Sequence, residues 1–223
     1  MEKTEFKPII KVYKRTCREK ETYIYYRMLL HRISCHLSPE EVSFLMGKPN
    51  DYVKKVETFK IKSVLTVDLY IMHLSLELES MSWMFQMGIV STDKDTEFEL
   101  HIIKMEDRVI YQMQKFDVES NQNVIEFKLI DIRHDLDLYN STESELKDIK
   151  SLIDEQLVAG YFNEERTGSE IHKLCCSKLE KYIKPRNVMM TLQPLIERKE
   201  GIRIIRKKSA NFFVFAVDLG NKD

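Results

Sequence analysis

Leu37 to Glu57 reads LSPEEVSFLMGKPNDYVKKVE, and its helix signals come in an ordered set. Ser38 can cap a helix whose first turn takes Pro39, Glu40 and Glu41. The proline has no N–H to lose there, and the two acids face the positive end of the helix dipole. Val42, Leu45 and Met46 then fall on one side at helical spacing. Gly47 is the residue type that closes a helix in a left-handed conformation. A second helix should run through Asn50 to Glu57, so the stretch predicts two short helices around a glycine turn.

Helical spacing continues on both sides. Upstream, Tyr23, Tyr26, Met28, Leu29, Leu30 and Ile33 predict a helix over Thr22–Arg32. Downstream, the apolar residues from Val64 to Leu78 predict one or two more, with Ser63 and Ser80 as caps. These give an N-terminal all-helical domain over residues 1–90. The period then drops to two. Glu97–Met105, a turn at Glu106–Asp107, Val109–Phe116 and Val124–Ile132 predict a small antiparallel sheet, an acidic β region over 91–140.

Beyond it, Thr142 with Glu145 and Thr167 with Glu170 are capping-box patterns, and Pro185 opens a further helix in which Pro194 should cause a kink or a stop. Ile202–Ile205 and Phe212–Val217 are strands joined through a basic tip at Arg206, Lys207 and Lys208. Three helices and a hairpin are the element order of a winged helix, assigned to 141–223. The expected class is therefore α+β: a helical N-terminal domain, an antiparallel β middle and a winged-helix-like end.

Composition excludes several function classes. With 43% hydrophobic and 32% charged residues the chain should fold. Its longest clean apolar run, Phe212–Val217, falls far short of the roughly 20 residues a bilayer requires. Met1–Lys20 is too charged for a secretion signal. Cys17, Cys35, Cys175 and Cys176 lack the paired spacing of a zinc site and read as reduced thiols of a cytoplasmic protein. His134, Asp135 and Asp137 lie between a strand and a helix and read as a turn. No phosphate loop, dinucleotide fingerprint or nucleophile elbow occurs. We expect no enzyme, no metal and no cofactor.

Charge is segregated along the chain although the total is only −1. Residues 1–62 carry 14 Lys and Arg against 8 Asp and Glu, net +6. Residues 63–155 carry 8 against 20, net −12, and residues 156–223 carry 13 against 8, net +5. Basic ends flanking an acidic centre suit a chain whose ends meet phosphate.

Leu37–Glu57 also resembles the helix-turn-helix of Xre/Cro-type repressors. That motif needs a small residue where two helices cross, a glycine at the turn, and aliphatics at fixed offsets. Val42, Ser43, Met46, Gly47, Val53 and Val56 occupy those positions. Lys48 stands where the family has an aliphatic, and Pro39 where many members have a phosphate-binding glutamine. GKPNDYVKKVE and the later GYFNEERTGSEI, Gly160–Ile171, are similar to uncharacterised regulators of the Bacteroidetes that carry a winged-helix-like end.

The resemblance implies a bacterial transcription regulator that binds double-stranded DNA as a homodimer, with its second helix in the major groove. The residues expected at DNA are then Asn50, Asp51, Lys54, Lys55 and Ser38, with Lys60 on phosphate. A second DNA or partner surface is expected at Arg186, Asn187, Met190 and Thr191 on the exposed side of the last helix, with Arg206, Lys207 and Lys208 in the wing. The alternative is a protein-interaction adaptor in which the same modules bind protein partners.

Overall fold

The computed structural model describes residues 7–85, 94–132 and 143–218. The chain is α+β with two antiparallel sheets, and it divides into two compact units. One lies within residues 1–38 and 53–138, the other within 39–52 and 139–223. Thr142, His134, Asp135 and Asp137 fall outside the described residues.

In the first unit, β1 (Ile9–Arg18) leads directly into α1 (Glu19–Ser34). Three helices follow, α3 (Tyr52–Glu57), α4 (Thr66–Ser75) and α5 (Ser82–Phe85). The strands β2 (Asp95–Lys104), β3 (Val109–Asp117) and β4 (Gln122–Asp131) complete the unit. The sheet order is β1-β2-β3-β4, all antiparallel, with Ile9 opposite Lys104 and Arg18 opposite Asp95.

The expectation of an all-helical N-terminal domain is therefore corrected: the described chain opens on a strand. The physical reason lies in IIKVYKRTCR, where a pairing partner in β2 outweighs the weak local preference of a charged segment. The six residues carrying the repressor resemblance are all buried, but they do not share one unit. Val42, Ser43, Met46 and Gly47 belong to the second unit, Val53 and Val56 to the first.

The first unit's core gathers Met28, Leu29, Val53, Val56, Leu69 and Met72 with Phe98, Leu100 and Met113 from the inner face of the sheet. At its centre Arg32 is fully buried. Arg32 Nε donates to Glu57 Oε1 at 2.5 Å and Nη2 to Glu57 Oε2 at 3.2 Å. Nη1 reaches Asp131 Oδ2 at 3.3 Å and the Leu37 carbonyl at 3.0 Å, and Nη2 also donates to Tyr111 Oη at 3.1 Å. Burial disfavours the charged guanidinium, but Glu57, Tyr111 and Asp131 outweigh it and keep the arginine ionised. One side chain thus ties α1, α3, β3 and β4 together.

The second unit contains α2 (Pro39–Leu45), α6 (Glu143–Val158), a 3-10 turn (Tyr161–Asn163) and β5 (Arg166–Thr167). After these come α7 (Gly168–Lys178), α8 (Pro185–Glu197), β6 (Ile204–Ser209) and β7 (Phe212–Val217). Its sheet runs β5-β7-β6. Thr167 and Glu170 form the full capping box at the start of α7, the Glu170 N–H donating to Thr167 Oγ1 at 3.2 Å and the Thr167 N–H to Glu170 Oε2 at 2.7 Å. Gly168 lets α7 approach α2 closely, since a Cβ there would sit 2.4 Å from the Phe44 carbonyl oxygen. Helix α8 continues through Pro194 to Glu197, with both Pro194 and Met190, four residues earlier, on the exposed side. Among the described residues no helix is long and apolar enough to cross a membrane.

Candidate nucleic-acid interface

The turn after α2 is built by a Schellman closure. Gly47 has φ +62°, its N–H donates to the Phe44 carbonyl at 3.0 Å, and the Lys48 N–H reaches the Ser43 carbonyl at 2.8 Å. This turn is pinned to the β6–β7 hairpin. The Phe213 N–H donates to the Gly47 carbonyl at 2.6 Å, and a Cβ on Gly47 would lie 3.0 Å from the Phe213 oxygen.

Basic side chains from the two segments meet here. Lys48 Nζ donates to the Asn211 carbonyl at 3.2 Å and lies over the rings of Tyr52 and Phe212, 5.4 and 5.8 Å from their centroids. Arg206 stacks on Phe213 with its guanidinium carbon 4.5 Å from the ring centroid. Its Nη1 donates to Asn50 Oδ1 at 2.9 Å and its Nη2 to the Lys48 carbonyl at 2.8 Å.

Those acceptors are neutral, and among the described residues Arg206 meets no carboxylate. Burial alone lowers its pKa from the usual arginine value, as expected for a cation partly stripped of water without a counter-charge. Its Nε is buried with no acceptor among the described residues. Beside it lies a cavity of about 30 Å³, whose lining includes Phe44, Asn50, Leu192 and Phe215. That is room on the scale of a water molecule rather than of a small-molecule ligand.

The expected residues are placed as follows. Asn50 and Asp51 are exposed in the turn before α3; Lys54 and Lys55 are exposed on it, Lys60 is exposed beyond it, and Ser38 is half-buried ahead of α2. Lys207 and Lys208 are exposed on β6, Lys207 pairing with Glu165 at 2.9 Å. Ser209 and Lys207 together hold the Glu165 carboxyl below its usual range.

The expected exposed side of α8 is corrected at two positions, Asn187 and Thr191. Asn187 is fully buried and donates to Glu145 Oε2 at 2.6 Å. Thr191 is buried and bonds back to the Asn187 carbonyl at 2.8 Å. Arg186 is half-buried, its N–H directed to Glu41 Oε1 at 3.3 Å. Asn187 and Thr191 share the side of Val188, Leu192 and Leu195, so helical phase turns them inward. The outward side carries Met190, Gln193, Pro194 and Glu197, with Arg186 in phase with them in the first turn.

Sequence does not point to one participant in this site, Lys48, nor to the bond between two that it does single out. Lys48 is only a departure from the repressor pattern until its contact with the hairpin is seen. The Arg206–Asn50 bond joins residues whose spacing in the chain carries no local signal. Among the described residues no group of three His, Cys, Asp or Glu could hold a metal ion. No protein-family model matches the chain, and no curated protein or solved structure is significantly similar to it.

Proposed function

We propose that this protein binds double-stranded DNA and regulates transcription as a homodimer, with α3 as the reading element and the β6–β7 hairpin on phosphate. The observation that carries the reading is Arg206. It is a half-buried cation that meets no carboxylate among the described residues and is held beside Lys48, on a hairpin that also presents Lys207 and Lys208. Such a convergence favours a polyanion, whose counterions are released on binding.

Asn50 takes a modified role in this reading. A bidentate contact to adenine uses both the oxygen and the nitrogen of the amide, and Asn50 Oδ1 already accepts from Arg206. The oxygen keeps a second lone pair for a base N–H, so Arg206 can hold the Asn50 amide in place while it reads.

The test is selection of genomic fragments bound by the purified protein, followed by salt titration on an enriched duplex. Affinity should fall steeply with salt. The double variant Lys207→Ala/Lys208→Ala removes both lysines from each copy and should flatten the log–log slope of the homodimer by about 2 to 4, about one for each phosphate that a lysine neutralises, with thermal unfolding unchanged. Absence of binding to selected and random duplexes at about 50 mM salt overturns the proposal. It would favour the adaptor reading, for which the exposed Val67, Tyr70 and Leu74 at helical spacing on α4 provide an apolar stripe.

A further inference from the structure

The outer face of the four-stranded sheet carries one chemical row that a solvated face does not need. Ile10 pairs with Ile103, Ile103 with Ile110, and Ile110 with Ile130, so four isoleucines cross all four strands side by side. Directly paired residues point to the same side of a sheet. That side is opposite the one carrying Phe98, Leu100 and Met113 into the core. Ile10 is 59% exposed and Ile130 42% exposed. An antiparallel sheet with one solvated face normally alternates to polar residues there, and contiguous apolar surface on a soluble chain marks an interaction site.

We propose that this face is the interface between two copies of the chain, packed sheet to sheet about a two-fold axis running along the strands. This placement deepens the homodimer in the function proposed above. A two-fold interface must be self-complementary, and the row is: read from β1 to β4 or from β4 to β1 it is isoleucine throughout. An axis along the strands lays β1 over the partner's β4 and β2 over the partner's β3, which keeps the isoleucine end of one sheet on that of the other. An axis across the strands would set isoleucines against the polar end.

The neighbouring rows fit the same operator. Val12, His101, Gln112 and Lys128 form the next row, and Lys14, Glu99, Gln114 and Ile125 the one after, past a bulge at Met113/Gln114. Under the axis proposed, Val12 faces Lys128, His101 faces Gln112, Lys14 faces Ile125 and Glu99 faces Gln114. No like charges oppose each other, and Lys14 and Glu99 are already paired within one copy at 2.5 Å. Four strands spaced by about 4.8 Å and about 33 Å long present roughly 600 Å². Two copies then bury roughly 1,200 Å², the lower bound of a standard stable interface.

The test is mass by light scattering with directed cross-linking. The full chain should run at twice 26.6 kDa and Ile10→Lys/Ile130→Lys at the monomer mass, with its circular dichroism and melting retained. Single variants Ile10→Cys and Ile130→Cys, mixed and oxidised, should yield a cross-linked heterodimer in at least tenfold excess over either alone and over the oxidised parent. A monomeric parent overturns the proposal, as does a dimer whose mass and cross-linking ignore these positions. Should the lysine variant unfold, the cysteine mixture alone decides. A monomer that binds DNA with steep salt dependence sinks the interface and spares the DNA reading. A sheet-face dimer that binds no duplex does the reverse.

Discussion

Arg32 sits at zero exposure between Glu57 and Asp131, and its loss removes the cation that the two buried carboxylates share. Arg32→Met should cost about 3–5 kcal/mol, the penalty for breaking a buried ion pair from one side. That is a large part of the about 5–15 kcal/mol that holds a domain together. Removing all three charges, as Arg32→Met/Glu57→Leu/Asp131→Leu, should recover most of the loss. Urea midpoints decide this, and a triple variant no better than the single one would refute the account. Glu99 gives a pH dependence of known sign. Hydrogen bonds from Lys14, His101 and Gln114 lower its pKa from 4.5 to about 2. A carboxyl depressed in the folded state stabilises above its unfolded pKa, and that stabilisation drains away as pH falls from about 4.5 toward 2. The parent should therefore lose its advantage over Glu99→Gln in urea midpoint across that window, whereas a pH-independent gap would contradict the assignment. Both residues are opaque in the sequence, where an arginine within a helix or a glutamate within a strand reads as solvated surface.

At the scale of elements, Gly47 joins two demands, a left-handed turn and close packing on the hairpin. Gly47→Ala should destabilise by about 1–2 kcal/mol from the backbone term alone, with more from the 3.0 Å approach to the Phe213 oxygen. Thermal denaturation measures it, and an unchanged midpoint would mean that the turn relaxes away from β7. The glycine is legible in the sequence as a helix end; its contact with β7 is not, since Phe213 lies far along the chain. Strands β2 to β4 announce themselves by alternation, and α7 by its Thr167/Glu170 cap. Strand β1 does not, because Lys11, Lys14, Arg15 and Arg18 dilute the pattern and only pairing with β2 reveals it. The inward turn of Asn187 and Thr191 is hidden for another reason. A polar residue on a helix reads as facing water, whereas Asn187 is satisfied inside by Glu145.

Across the whole molecule, local patterns are read in contiguous runs, while each of the two units is assembled from two separated pieces of chain. Charge segregation is legible because it needs only counting, and it directs attention to the basic ends. The convergence of Gly47–Asn50 with Arg206–Asn211 needs contacts that no window contains. The register of β1 on β2, Arg18 opposite Asp95 and Ile9 opposite Lys104, also has a consequence for biosynthesis. At about 5–20 residues per second, the roughly 80 residues between those partners occupy the ribosome for about 4–16 s. Throughout that interval β1, with Ile9, Ile10 and Val12, has no strand to join, so a translating or stalled chain that stops short of Asp95 displays an adhesive segment to chaperones and to neighbouring nascent chains. Release from that state comes when β2 clears the exit tunnel.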